Sequence, residues 1–172
     1  MKRQTMTNAT PQPNRRRFQQ LLLSLPLLPV AALPHVASAQ TTPALPVMQV
    51  WKDPDCGCCN DWIRYLEREG FQVQRFDGGN TAVRKRLGLP MQYASCHTAL
   101  IAGYVVEGHV NAREIRRLLT EKPRALGLSV PGMPVGSPGM DGPEYGTRKD
   151  PYDVLLILPD GSSRVYQSYF RT

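Results

Sequence analysis

Three cysteines, Cys56, Cys58 and Cys59, fall within four positions of the segment DPDCGCCND, and a fourth, Cys96, precedes His97 in SCHTA. Thiols this close could form a redox pair or hold a soft metal. Cys56 and Cys59 make a C-x-x-C, placed where a strand pattern gives way to a helix pattern. A helix start stabilises thiolate through its free N–H groups and its dipole, lowering a cysteine pKa from ~8.5 into the range ~3.5–7.5. A thiol–disulfide oxidoreductase would therefore use Cys56 as nucleophile and Cys59 as resolving cysteine. Cys58 complicates that chemistry, because a third thiolate is both a soft ligand and a competitor in disulfide exchange. Adjacent Cys58 and Cys59 do not easily turn both sulfurs to one ion. Thiolates bridging several Cu(I) ions suit the crowding better.

Soft thiolates and thioethers select Cu(I), with zinc as the competing ion at tetrahedral sulfur and imidazole sites. Further donors of that kind are His97, beside Cys96, and Met133 and Met140, which end the two P-G-M repeats of PGMPVGSPGM. His109 reads as a structural or rim histidine, Met48 and Met91 as packing residues, and Trp51 as apolar cover for the site. A structural zinc site made from four cysteines would show two separated pairs, not three plus one. A Cys–His protease would leave the clustered thiols unexplained.

The elements that must position these residues follow from periodicity. Val47–Lys52 alternates as a strand, Asp53-Pro54-Asp55 turns, and Asp55 is a candidate cap for a helix from Gly57 or Cys58 to Glu69. Phe71–Phe76 alternates as a second strand, and Asn80–Gly88 reads as a short helix closed by glycine. Two short strands form a hairpin about Ala102-Gly103, followed by a helix from Asn111 to Pro123. The Gly- and Pro-rich stretch 126–150 reads as a long irregular loop, able to act as a movable lid. A closing hairpin turns at Asp160-Gly161. The order predicts an α/β domain with a central mixed sheet flanked by helices. The cysteines fall at the first strand-to-helix junction, where a thioredoxin-like fold holds its redox pair.

The N-terminus bears on compartment. Arg15 and Arg16, with Phe18 beyond, precede an apolar run from Leu21 to Leu33, and Ala37-Ser38-Ala39 fits a cleavage site. This order of segments is that of a twin-arginine export signal over residues 1–39, leaving no membrane anchor after cleavage. The apolar run is shorter than the ~20 residues of a membrane span. A linker, 40–46, then leads to a domain over 47–172. Five of the 21 basic residues and none of the 14 acidic ones lie in the signal, so the remainder carries 16 against 14. That near-balance gives no ground for nucleic-acid binding, and Arg84-Lys85-Arg86 and Arg116-Arg117 read as solvated helix faces. An exported chain lives where disulfides persist.

The segments VWKDPDCGCC, SCHTALI, GYVVEGHV, GLSVPGMPVGSPGM and YDVLLI, in this order between Val47 and Tyr166, resemble the CopG-type copper-resistance proteins, an exported family long catalogued as a domain of unknown function. The resemblance implies a thioredoxin-like fold and periplasmic copper handling, with thiol ligands at Cys56, Cys58, Cys59 and Cys96. It also implies further contacts from Met133 and Met140. Expected partners are copper ions and a periplasmic copper-export or copper-resistance protein. Sequestration, transfer and copper redox handling all stay open, with thiol–disulfide exchange at Cys56 and Cys59 as the alternative activity.

Overall fold

The computed structural model of the protein describes residues 44–171, so the expected export signal and most of the linker lie outside the described residues. The elements run β1 (Met48–Lys52), α1 (Gly57–Arg68), β2 (Val73–Asp77), α2 (Asn80–Arg86), β3 (His97–Ile101), β4 (Tyr104–Glu107), α3 (Ala112–Glu121), β5 (Gly127–Ser129), β6 (Tyr152–Ile157) and β7 (Ser163–Tyr169). The strands form one sheet in the order β2-β1-β3-β4-β5-β6-β7. β1–β2 and β4–β5 pair in parallel and the remaining neighbours antiparallel. The chain is thus α/β with a mixed sheet, compatible with a thioredoxin-like fold.

Alternation of side chains along each strand divides the core in two. On one face Met48, Val50, Ala99, Val106 and Leu128 meet α1 and α3, whose apolar stripes are Trp62, Ile63 and Leu66, and Ile115 and Leu118. On the other, Val105 and Ile157 pack with Leu89 and Tyr93 in a smaller cluster. Trp62 is fully buried, and a side chain of that class contributes ~1.5–3 kcal/mol on leaving water. It therefore anchors α1, and with it the cysteines of the first turn, to the sheet.

Three expectations need correction. The stretch 126–150 is not wholly loop: Gly127–Ser129 forms β5, near the centre of the sheet between β4 and β6. Three residues ahead of a proline carry no readable alternation. Gly127 is required there by close approach, since a Cβ would lie 1.8 Å from the Val105 carbonyl oxygen. Gly127→Ala is expected to destabilise the fold by at least ~2 kcal/mol, at the upper end of overpacking effects, read as a lower urea midpoint with unchanged slope. Arg84 is the second case. Lys85 and Arg86 are exposed as expected, but Arg84 is buried and paired with Glu107, Nη2 to Oε1 at 2.8 Å. The Asp55 cap also differs, because Cys56 occupies the N-cap position of α1 and no side chain caps the helix.

The remaining Gly/Pro/Met segment folds back over the first turn of α1. Gly139, at φ +82°, sits so close that a Cβ would lie 2.7 Å from both the Cys58 carbonyl oxygen and the Trp62 nitrogen. The segment is fastened at several points: Asp150 Oδ2 accepts from Val135 N–H (3.1 Å), Pro138 O from His109 (2.7 Å), and Gly132 O from the Ser95 hydroxyl.

Candidate metal centre

Two chain segments bring sulfur to one place. β1 ends at Lys52, a fully buried lysine whose Nζ donates to the carbonyls of Asp53 (2.9 Å) and Pro54 (3.1 Å) and pairs with Asp77 at 3.1 Å. This fixes the turn that delivers Cys56 to the uncapped start of α1. β3 lies beside β1, with His97 opposite Lys52, so Cys96 arrives next to the same helix start.

The sulfurs of Cys56, Cys58, Cys59 and Cys96 all lie within 4.8 Å of one another. Cys56 and Cys59 are joined by a disulfide, and Cys58 and Cys96 are free thiols. Cys58 Sγ stands 3.6 Å from Cys56 Sγ and 4.0 Å from the thioether of Met133, which is half exposed at the rim. The α1 geometry therefore turns the adjacent Cys58 and Cys59 toward one centre, despite the expected difficulty. Met140 is buried beyond Gly139, and its sulfur receives the Tyr145 hydroxyl at 3.5 Å.

A second donor group shares Cys96. Its Sγ lies 3.3 Å from His97 Nδ1 and 3.1 Å from His109 Nε2. Cys96, His97 and His109 form their own cluster within 4.8 Å. His109 Nδ1 stands 2.7 Å from the Pro138 carbonyl oxygen. A carbonyl only accepts, so Nδ1 carries the hydrogen and Nε2 presents its lone pair to Cys96. A ring nitrogen held this way by a backbone carbonyl is the arrangement that orients metal-binding histidines. His97 Nε2 is buried without a hydrogen-bond partner. His109 is thus buried beside Cys96 and His97 and does not lie at an exposed rim. The hairpin register could have shown this: Thr98 pairs with Glu107, and Gly108 N–H bonds to His97 O, so Cys96 and His109 face each other across the hairpin.

Trp51 does not cover this site. It lies on the opposite sheet face from His97 and stacks on Phe76 with ring centroids 5.1 Å apart. Trp62 takes that place, 4.2 Å from the His97 ring, its Nε1 donating to Val110 O at 2.9 Å. Met48 packs in the core as expected, whereas Met91 is exposed.

Burial pushes the Cys96 thiol up to about 12, reinforced by the neighbouring Cys58. Without metal, Cys96 therefore keeps its proton, and a soft cation would take that proton's place. Burial also lowers both imidazoles, His97 further through its neighbour His109. Both are neutral at pH 7 and able to donate lone pairs. Unfolded histidines take up protons near pH ~6.5 while the folded ones do not, so stability falls as pH drops through that value. Each such group contributes a slope of up to ~1.4 kcal/mol per pH unit. Metal-free protein is expected to lose unfolding free energy between pH 7 and 5, and His97→Gln to flatten that loss in urea titrations. Glu107, raised by burial, acts with opposite sign, so the difference between wild type and variant isolates the imidazole.

Comparison with solved structures decides the family. The copper resistance protein CopG, form 1, is 44% identical over 73% of this chain and 98% of its own, with a TM-score of 0.67. Form 2 gives 43% identity, the same coverage and a TM-score of 0.66. The chain belongs to the CopG copper-resistance family. Residues 93–140, which span Cys96, His109, Met133 and Met140, match the family described as "Protein of unknown function, DUF411". No curated protein sequence matches. Among the described residues, no CopG helix of this chain is long and apolar enough to cross a membrane.

Proposed function

We propose that this CopG chain binds Cu(I), more than one ion, through Cys56, Cys58, Cys59 and Cys96, and that it serves copper resistance. The carrying observation is the convergence of four sulfurs within 4.8 Å, with one of them shared by a second, imidazole-bearing group. A donor set of thiolates, a thioether and neutral imidazoles fits Cu(I), with Zn(II) as competitor. Cys96 is the bridging thiolate between the two groups. His109 and His97 supply nitrogen, and Met133 closes the exposed side. The loading form is the dithiol: reduction of the Cys56–Cys59 bond by an external thiol pair returns two cysteines, whose protons leave as they become ligands.

The disulfide favours a second reading. A C-x-x-C at an uncapped helix start is able to exchange disulfides, with Cys56 as nucleophile and Cys59 resolving. X-ray absorption on the copper-loaded full chain separates the two. The copper reading expects sulfur-dominated coordination with short Cu–Cu vectors. Metal-free reduction of a model disulfide, unaffected by Cys58→Ser, would instead support exchange.

Residues 1–39 support export by the twin-arginine route into the periplasm, where a copper-export or copper-resistance protein would be the partner. A reporter fused to residues 1–39 should stay in the cytoplasm of a twin-arginine-translocase mutant.

A further inference from the structure

A costly polar feature outside the donor set is the ion pair between Arg84 on α2 and Glu107 on β4. Both side chains are buried, at 5% and 0% exposure. They lie on the sheet face away from α1, where the neighbouring cluster is apolar. Removing two charges from water costs several kcal/mol per ion, and well-packed apolar residues of similar volume often stabilise a fold as well or better. Stability alone therefore does not account for the pair.

Its hydrogen bonds point to one place. Arg84 Nε and Nη2 both donate to Glu107 Oε1, at 3.1 and 2.8 Å. Every other side-chain hydrogen bond of the pair goes to Ser95 or Thr98, the residues on either side of Cys96 and His97. Ser95 N–H donates to Glu107 Oε1 (2.6 Å), Arg84 Nη2 to Ser95 O (2.9 Å), and Thr98 Oγ1 to Glu107 Oε2 (2.7 Å). Asn80, on the same helix as Arg84, adds a grip on Cys96 O at 3.2 Å. The Ser95 hydroxyl in turn bonds to Gly132 O, next to Met133. Both backbone polar groups of Ser95 are thus held by one buried pair, and its side chain carries that restraint to the methionine segment.

We propose that Arg84 and Glu107 are positioning residues of the metal centre, fixing the backbone on either side of the bridging Cys96 thiol and, through Ser95, the approach of Met133. The proposal rests on the copper reading for its purpose, but its geometry is testable without copper. Arg84's planar fork reaches Glu107 and Ser95 O together, which a lysine ammonium cannot reproduce.

The test uses the full chain with two variants. Arg84→Met/Glu107→Leu removes the charges together, so that no buried ion is stranded. Arg84→Lys keeps the charge but loses the fork, and decides the matter if the double variant does not fold. In the disulfide form Cys58 and Cys96 are the free thiols, so the ratio of their iodoacetamide alkylation rates reads the freedom of Cys96. The ratio Cys96:Cys58 should rise several-fold in both variants. In the reduced form, Cu(I) affinity in chelator competition should fall ~10–100-fold, the usual effect of losing a partner that orients a ligand. The Cu(I)–thiolate luminescence should shift as well. An unchanged alkylation ratio with unchanged affinity overturns the proposal. Failure of the wild-type chain to take up Cu(I) overturns the copper reading instead, and the alkylation ratio still decides the positioning role.

Discussion

Cys96→Ser is expected to cause the largest loss of copper binding of any single substitution in this protein. Cys96 is the member common to the four-sulfur group and the Cys96–His97–His109 group, so its loss opens both at once. The remaining cysteines, on the DPDCGCCND segment, would keep a smaller complement of ions. Affinity should fall by more than the ~10–100-fold that follows loss of an outer partner, because a ligand itself is gone. Anaerobic Cu(I) titration against a chelator gives both number and affinity. The fold should survive, since serine is nearly the size of cysteine and Cys96 lies outside the two apolar clusters. A variant with wild-type stoichiometry and affinity would remove Cys96 from the centre.

The second large effect is that of the Cys56–Cys59 disulfide. Closing it withdraws two of the four sulfurs, leaving Cys58, Cys96, the imidazoles and Met133. Protein oxidised before titration should therefore hold fewer Cu(I) ions than protein reduced with an external dithiol. By mass action the converse holds, since a ligand that binds one form stabilises it. Saturating Cu(I) should make the bond harder to form. Each tenfold preference for the dithiol raises the reduction potential of the couple by ~30 mV. Redox equilibration with and without Cu(I), followed by thiol trapping and mass mapping of Cys56 and Cys59, measures the shift. Equal copper uptake by the two forms would show that Cys56 and Cys59 are not ligands, and would favour disulfide exchange as their role.

Legibility in the sequence was uneven, for physical reasons. Alternation exposed β1 and β2, the turns at Ala102-Gly103 and Asp160-Gly161 exposed the hairpins β3–β4 and β6–β7, and a 3.6-residue stripe exposed α1, so the site's scaffold was readable. β5 was hidden because three residues carry no period, and because Gly127 looks like loop chemistry although backbone crowding requires it. The cysteines were readable as a soft-donor set from type and spacing. His109 was undervalued because a lone histidine has no local signature; only the register about Ala102-Gly103 places it across from Cys96. Arg84 and Lys52 were the least legible. A basic residue in a helix or at a strand end ordinarily faces water, and the partners that make burial tolerable, Glu107 and Asp77, lie 23 and 25 positions away.

The central claim is that shared thiolates hold more than one Cu(I). Anaerobic Cu(I) titration of the reduced full chain, with the endpoint taken from competition against a chelator of known affinity, tests it most directly. Uptake of more than one equivalent, lowered by Cys58→Ser and lowered further by Cys96→Ser, is the predicted result. A single equivalent, unchanged in both variants, would contradict the account.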